Sequence, residues 1–135
     1  MSSSTSLPLE HNGRTFYVHE LTQAMRNRFS AWMKSQAIQD TMALRPQLPA
    51  DVFRDLMSSL RDDIAIKKLY EFGGEKYGDM VGTPEGACEF ARLVLNDPSL
   101  SDEEIDSLME AKGSEFHELF QTVNTKPDTP SKGKA

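Results

Sequence analysis

The sequence has little of what a disulfide, a membrane span or a secretory signal requires. It contains one cysteine in 135 residues, Cys88, so an internal disulfide is excluded and a reducing compartment suits the chain. No apolar run approaches the roughly 20 residues of a membrane-spanning helix. The opening MSSSTSLPLE has neither a basic nor an apolar stretch, so we expect no secretory signal there. Cys88 lies beside alanines and a phenylalanine, which indicates a small core residue rather than a nucleophile.

Basic side chains are scarce in one part of the chain. The net charge is −6, and residues 97–123 carry eight acidic side chains against one basic side chain. Residues 20–46 instead carry four basic side chains against two acidic ones. Phosphate binding needs a basic face, so we do not expect nucleic acid as a partner. The acidic stretch is either a solvated face or a contact surface for a basic partner.

The spacings typical of metal, nucleotide and catalytic sites are also lacking. The three histidines, His11, His19 and His117, have no ligand partner four residues away. The glycines of 73–78 are not followed by Gly-Lys-Ser/Thr, and the acidic run 102–106 has no central glycine of a calcium loop. The sequence therefore predicts no metal, no cofactor, no catalytic residue and no enzymatic activity.

A β-hairpin is predicted near the start of the sequence. Two short strand patterns, 7–10 and 14–18, flank the Asn-Gly pair at 12–13. Asn-Gly is the strongest short hairpin signal, because both residues tolerate positive φ. Alternation places Phe16 and Val18 on one face of the second strand. Since an isolated hairpin is barely stable, it must pack on the helices or pair with another chain.

Helical periodicity dominates the rest of the chain. Start signals are Thr22, Pro49 as a first helical residue, Thr83, and a capping box from Ser101 to Glu104. A glycine-rich break occupies 72–87, and Gly113-Ser114 is expected to interrupt the last helical stretch. The predicted helices are 23–44, 50–71, 84–96, one opening at 101, and a final one marked by Phe116, Leu119, Phe120 and Val123.

These elements predict a mainly α fold, a bundle of about five helices with an N-terminal β-hairpin. One helical domain is expected over 7–123. Residues 1–6 and 124–135 are polar and are expected to be disordered. The buried face of the second helix is expected to comprise Val52, Phe53, Leu56, Met57, Leu60, Ile64 and, less centrally, Ile66; that of the third, Ala87, Phe90, Ala91, Val94 and Leu95.

An apolar stripe on the first helix has two interpretations. It comprises Met25, Phe29, Trp32, Met33 and Gln36, spaced by three and four residues. It is either the core face of that helix, or its aromatic and methionine residues form, together with Met42, an adaptable groove for a partner helix. The candidate partner-binding residues are Phe29, Trp32, Met33 and Met42, of which Trp32 and Met42 are expected to be the most exposed.

Two blocks of the sequence resemble a known family. NGRTFYVHELTQAMRNRF is similar to the opening of the tail assembly chaperones of long-tailed bacteriophages, in which a second strand ends in Y-x-V-x-E-L-T before a long helix. Here YVHELT, residues 17–22, carries the match, and it is one residue shorter than that pattern. GTPEGACEFARLVLNDPSLSDEEIDSLM is similar to a later block: a capped helix, an Asn-Asp-Pro-type turn and an acidic capped helix. The two blocks are residues 12–29 and 82–109, and the order of elements extends the resemblance over 7–123.

The resemblance implies a non-enzymatic protein of the host bacterial cytoplasm. It would bind the phage tape measure protein, keep that helical chain soluble and help tail-tube protein assemble around it. Self-association into a homo-oligomer is a further possibility for such a protein. Many genes of the family yield a longer product by a ribosomal slip, and Gly133-Lys134 is a pair that a slippery sequence would encode. Two rival hypotheses are a structural virion component, such as a minor tail or head–tail connector protein, and a small acidic inhibitor of a host enzyme.

Overall fold

The computed structural model describes residues 6–125 and confirms the predicted fold class. The predictions for 1–5 and 126–135, including Gly133-Lys134, lie outside these residues; Ser6 and Asn124 belong to regular structure instead. The elements are β1 Ser6–His11, β2 Arg14–His19, α1 Gln23–Met42, a 3₁₀ turn Arg45–Gln47, α2 Ala50–Ala65, α3 Tyr77–Val81, α4 Pro84–Val94 and α5 Asp102–Asn124.

The described residues group into two compact units. The first contains 6–22 and 88–125, and the second contains 23–87. Helix α4 begins in the second unit and ends in the first. One domain over 7–123 stays a prediction. Within residues 6–125, no helix has both the length and the apolar character that crossing a membrane requires.

The hairpin of the first unit forms as the Asn-Gly pair predicts. Asn12 and Gly13 have φ of 54° and 75°, the left-handed pair that a tight hairpin turn needs. The strands are antiparallel, with Leu9 opposite Phe16. Leu9, Phe16 and Val18 are buried on one face, and both strands contact α5. In this unit the hairpin is therefore a cover for α5.

Helix α5 opens on the predicted capping box. The Glu104 backbone N–H donates to Ser101 Oγ (3.1 Å), and the Ser101 N–H donates to Glu104 Oε1 (2.9 Å). The expected interruption is a kink at Lys112 (φ −131°, ψ 19°), one residue before Gly113, after which the helix resumes. The buried face of α5 comprises Ile105, Leu108, Phe116 and Val123.

Helix α4 also begins and ends on local signals. The Gly86 N–H donates to Thr83 Oγ1 (2.9 Å), as expected of a capping threonine. At the other end Asn96 has φ 53° and the Asp97 N–H donates to the Arg92 carbonyl (3.2 Å), a left-handed helix stop that asparagine tolerates. Ala91, Val94 and Leu95 are buried and Phe90 is half-buried, but Ala87 is exposed, so that part of the predicted face is wrong.

Helix α2 differs most from its prediction. It ends at Ala65 rather than near 71, because Lys68 adopts φ 55° and turns the chain. Pro49 precedes the helix as its N-cap instead of occupying the first helical position. Of its predicted buried face only Leu60 is buried; Phe53, Met57 and Ile64 are half-buried, and Val52, Leu56 and Ile66 are exposed. The short α3, inside the glycine-rich segment, was not predicted.

Candidate functional site

An aromatic cluster surrounds the middle of α1. The Phe29 ring lies 5.4 Å from Trp32, 6.0 Å from Phe72 and 5.8 Å from Tyr77, measured between centroids. The contacts to Phe72 and Tyr77 are edge-to-face, a favourable geometry for aromatic rings. Burial raises the pKa of the Tyr77 hydroxyl. The cluster holds the glycine-rich segment against α1.

A buried serine strengthens the same attachment. The Phe72 backbone N–H donates to Ser30 Oγ at 2.7 Å, and Ser30 is the buried polar residue of α1. An unpaired buried amide is costly, and this hydrogen bond gives the Phe72 amide its partner. At the surface nearby, Lys34 Nζ pairs with Glu71 Oε2 at 2.8 Å. The middle of α1 is therefore occupied by this chain's own residues.

The four candidate partner-binding residues fall in different environments. Phe29 and Met33 are 1% and 0% exposed. Trp32 is half-buried, whereas Met42 is 43% exposed. Their role in partner binding stays a prediction, but in this conformation only Met42 offers a large free surface.

The exposed apolar surface is concentrated around the end of α1 and along α2. Among the described residues, seven large apolar side chains are exposed, and six of them lie between positions 38 and 66. They are Ile38, Met42, Leu44, Val52, Leu56 and Ile66; the seventh is Tyr17. Contiguous apolar patches mark protein-interaction surfaces, and six exposed side chains within one stretch of the chain make this stretch the best candidate for one among the described residues.

A groove of about 490 Å³ lies where α1 turns into α2, and it shares Met42 with these exposed side chains. It is lined by Met42, Arg45, Leu48, Ala50, Phe53, Arg54, Met57 and Arg61. The Arg45 guanidinium carbon lies 5.5 Å from the centre of the Phe53 ring, within cation–π range. Apart from Met42, the sequence prediction missed these residues because it assigned α2 a conventional core face.

A second cavity, of about 310 Å³, lies between the hairpin and α5 within the first unit. It is lined by His11, Asn12, Arg14, Phe16, Glu103, Glu104 and Ser107. His11 Nε2 is 3.3 Å from Ser107 Oγ and 3.2 Å from Asn12 Nδ2. Both partners contact the same ring nitrogen, so the arrangement does not reproduce a serine–histidine–carboxylate relay, in which the two nitrogens have separate partners.

Arginines neutralise part of the acidic stretch near this cavity. Arg14 pairs with Asp97 (3.1 Å) and Glu104 (3.6 Å), and its guanidinium lies 4.7 Å from the Phe16 ring centre. Arg92 pairs with Asp102. The Ser99 hydroxyl donates to Asp97 and lowers the pKa of that carboxyl. Within residues 6–125, no cluster of three or more His, Cys, Asp or Glu side chains is arranged to hold a metal ion.

Cys88 is buried as predicted, and its thiol faces a carboxylate. Its Sγ is 3.5 Å from Asp106 Oδ1. Burial, with the hydrogen bond and negative charge of Asp106, raises the pKa of the thiol. The thiolate, which is the reactive form, is therefore disfavoured at neutral pH.

We expect Cys88 to react with a disulfide reagent more slowly than an unfolded-chain cysteine at neutral pH. Reactivity should rise with pH as the thiol ionises above its usual value of about 8.5. Because the pKa is raised in the folded state, the unfolded chain ionises first, and the free energy of unfolding should fall as pH rises through that range. Asp106→Asn should speed the reaction at constant pH. Equal rates for both proteins would show that Asp106 does not act on the thiol.

Residues 6–125 thus present exposed apolar side chains between positions 38 and 66 and a groove that shares Met42 with them. Comparison of the chain with protein-family models, with curated proteins and with solved structures finds no match.

Proposed function

We propose that this chain is a non-enzymatic tail assembly chaperone of a long-tailed bacteriophage, acting in the host bacterial cytoplasm. It binds the tape measure protein and assists the assembly of tail-tube protein around it. Two features support the proposal: the resemblance carried by YVHELT and by the block that begins at Gly82, and the open apolar surface between positions 38 and 66.

The open apolar surface is the observation that carries the binding role. Ile38, Leu44 and Val52 are between 40% and 46% exposed, and Ile66 is 72% exposed. Covering such side chains is favourable by about 25 cal/mol for each Å² of apolar surface removed from water. A long helical client with exposed apolar faces needs the same cover from its side. Binding therefore removes apolar surface of both proteins from water, which favours the complex.

The acidic-inhibitor hypothesis has less support from the contacts. Of the eight carboxylates in 97–123, four already form ion pairs: Asp97 and Glu104 with Arg14, Asp102 with Arg92, and Glu115 with Lys112. An inhibitor that mimics an acidic ligand presents its carboxylates free to a basic partner. Here half of them contribute to contacts within the first unit.

The test is an affinity pull-down of the tagged chain from phage-infected or induced cells, with mass spectrometry of its partners and of purified virions. We expect tape measure or tail-tube protein in the pull-down and no chain in virions. The chain in virions would make it a structural component, and a host enzyme as its sole partner would make it an inhibitor.

Two variants with opposite expected behaviour sharpen the pull-down. Met42→Glu places a charge on the open apolar surface and should reduce recovery of the tape measure protein. Glu103→Gln with Glu104→Gln removes acidic charge but keeps a residue able to complete the capping box, and should leave recovery unchanged. The reverse pattern would favour the acidic surface and contradict the proposal.

A further inference from the structure

The groove at the α1–α2 turn combines an apolar floor with three arginines. Met42, Leu48, Phe53 and Met57 supply apolar and aromatic surface, and the two methionines can adapt to different side-chain shapes. Arg45, Arg54 and Arg61 also line it. Arginine and aromatic residues are enriched at the centres of protein interfaces, where they account for much of the binding free energy.

These arginines have no carboxylate partner within the part of the chain from 6 to 125. The ion pairs found there involve Arg14, Lys34, Lys67, Arg92 and Lys112, but none of the groove arginines. The chain as a whole has a net charge of −6. Arg45 contacts the Phe53 ring, and Arg54 and Arg61 line the same groove without a carboxylate partner among the described residues. Three cations beside one apolar groove are complementary in charge to a ligand that carries carboxylates.

The spacing of two arginines specifies the ligand further. Arg54 and Arg61 are seven residues apart on α2, which is about two helical turns or 10.5 Å along the axis. Seven residues return to nearly the same face of a helix, so Arg54 and Arg61 lie on one side of α2, and both line the groove. A helix lying along α2 would match them with two carboxylates of its own, also seven residues apart.

We propose that the groove binds an amphipathic α-helix of a partner protein, with apolar side chains on the floor and Asp or Glu residues two turns apart facing Arg54 and Arg61. The inference rests on the proposed function only for the natural source of that helix, the tape measure protein. The chemistry of the ligand follows from the groove itself.

The test uses the full chain and two synthetic helical peptides of about 20 residues, long enough to form helix. Both carry the same leucine stripe, flanked two turns apart by Glu in one peptide and by Lys in the other. Fluorescence anisotropy measures their affinities. We expect the Glu peptide to bind about tenfold more tightly, with a smaller difference as salt is raised from about 50 mM to about 300 mM.

A charge reversal in the groove should reverse this preference. Arg61→Glu should weaken the Glu peptide about tenfold and strengthen the Lys peptide, since the opposite-charge pair is restored. Arg28→Glu is the matched control, an equal charge change at an exposed arginine of α1 outside the groove. It should change both affinities little. Circular dichroism of each variant verifies folding.

Several results would overturn the inference. Equal affinity for the two peptides, no binding of the Glu peptide, or equal effects of Arg61→Glu and Arg28→Glu would each show that the groove arginines do not select an acidic helix. A dimer that dissociates on Arg61→Glu, without peptide binding, would assign the groove to a second copy of the chain.

Failure of this inference is distinguishable from failure of the proposed function. Tape measure protein recovered equally by wild type and Arg61→Glu would keep the chaperone role and remove the groove from it. Selective Glu-peptide binding without any tape measure protein in the pull-down would keep the groove and contradict the chaperone role.

Discussion

Phe29→Ala is expected to lower the free energy of unfolding of the second unit by about 3–5 kcal/mol, the usual cost of truncating a buried phenylalanine. Phe29 is 1% exposed, and its ring contacts Trp32, Phe72 and Tyr77. Truncation leaves a cavity and removes the edge contacts that hold the glycine-rich segment on α1. Denaturant unfolding can be followed by the fluorescence of Trp32, the single tryptophan of the chain.

Met42→Ala provides the matched comparison for Phe29→Ala. Both residues were candidate partner-binding residues on α1, but Met42 is 43% exposed. Its truncation should change the free energy of unfolding by less than about 0.5 kcal/mol, as is usual at the surface, and should weaken partner binding. A loss of less than about 1 kcal/mol for Phe29→Ala would mean that the aromatic cluster is not a packed core.

The features predicted correctly from the sequence are those that neighbouring residues determine. The Asn12-Gly13 turn needs only two residues that tolerate positive φ, and the capping box of α5 needs only Ser101 and Glu104 three residues apart. The Thr83 cap is local in the same way, whereas the helix that it opens ends at Val94, two residues before the predicted end at 96. Local hydrogen bonding and backbone sterics suffice for these predictions, so no knowledge of packing was required.

Features that depend on what packs against a helix were predicted less well. The apolar pattern of α2 predicts a buried face, but burial also requires a neighbour, and Leu60 alone is buried. The end of α2 was misplaced because Lys68, rather than a glycine or asparagine, adopts the left-handed conformation. No propensity signals such a lysine. The five-residue α3 is too short to produce a helical period.

The dependence of burial on neighbouring elements also explains why the candidate partner-binding residues fall in different environments. The apolar residues of α1 admitted both interpretations, core face and partner groove, and in the structure the covered and the exposed positions lie at different points along the helix. Phe29 and Met33 are covered by the chain's own residues, whereas Met42 lies at the open end beside α2. Periodicity specifies which side of a helix is apolar but not how far along the helix the cover extends. Only the contacts between α1, α2 and the glycine-rich segment provide that information.

Gly86→Ala is expected to destabilise the second unit by about 3 kcal/mol, at the upper end of the usual cost of overpacking. In the sequence Gly86 looks like an ordinary glycine in the first turn of a helix. In the structure it is buried, and a Cβ built on it would overlap the Met80 carbonyl oxygen and lie 2.7 Å from the Met80 carbonyl carbon. Because the obstacle is backbone rather than a side chain, α3 and the start of α4 would have to move apart.

Gly78→Ala is the matched control for Gly86→Ala, because a Cβ at Gly78 in α3 would meet nothing within 4 Å. Alanine loses less conformational entropy than glycine on folding, so this variant should be more stable than wild type by about 0.4–1 kcal/mol. Opposite signs for two Gly→Ala changes eight residues apart would isolate the close approach at Met80 as the cause. Equal effects in denaturant unfolding would show that α3 and α4 do not pack at that distance. Since Gly86 lies outside the Arg-lined groove, folded Gly86→Ala protein should still prefer the Glu peptide.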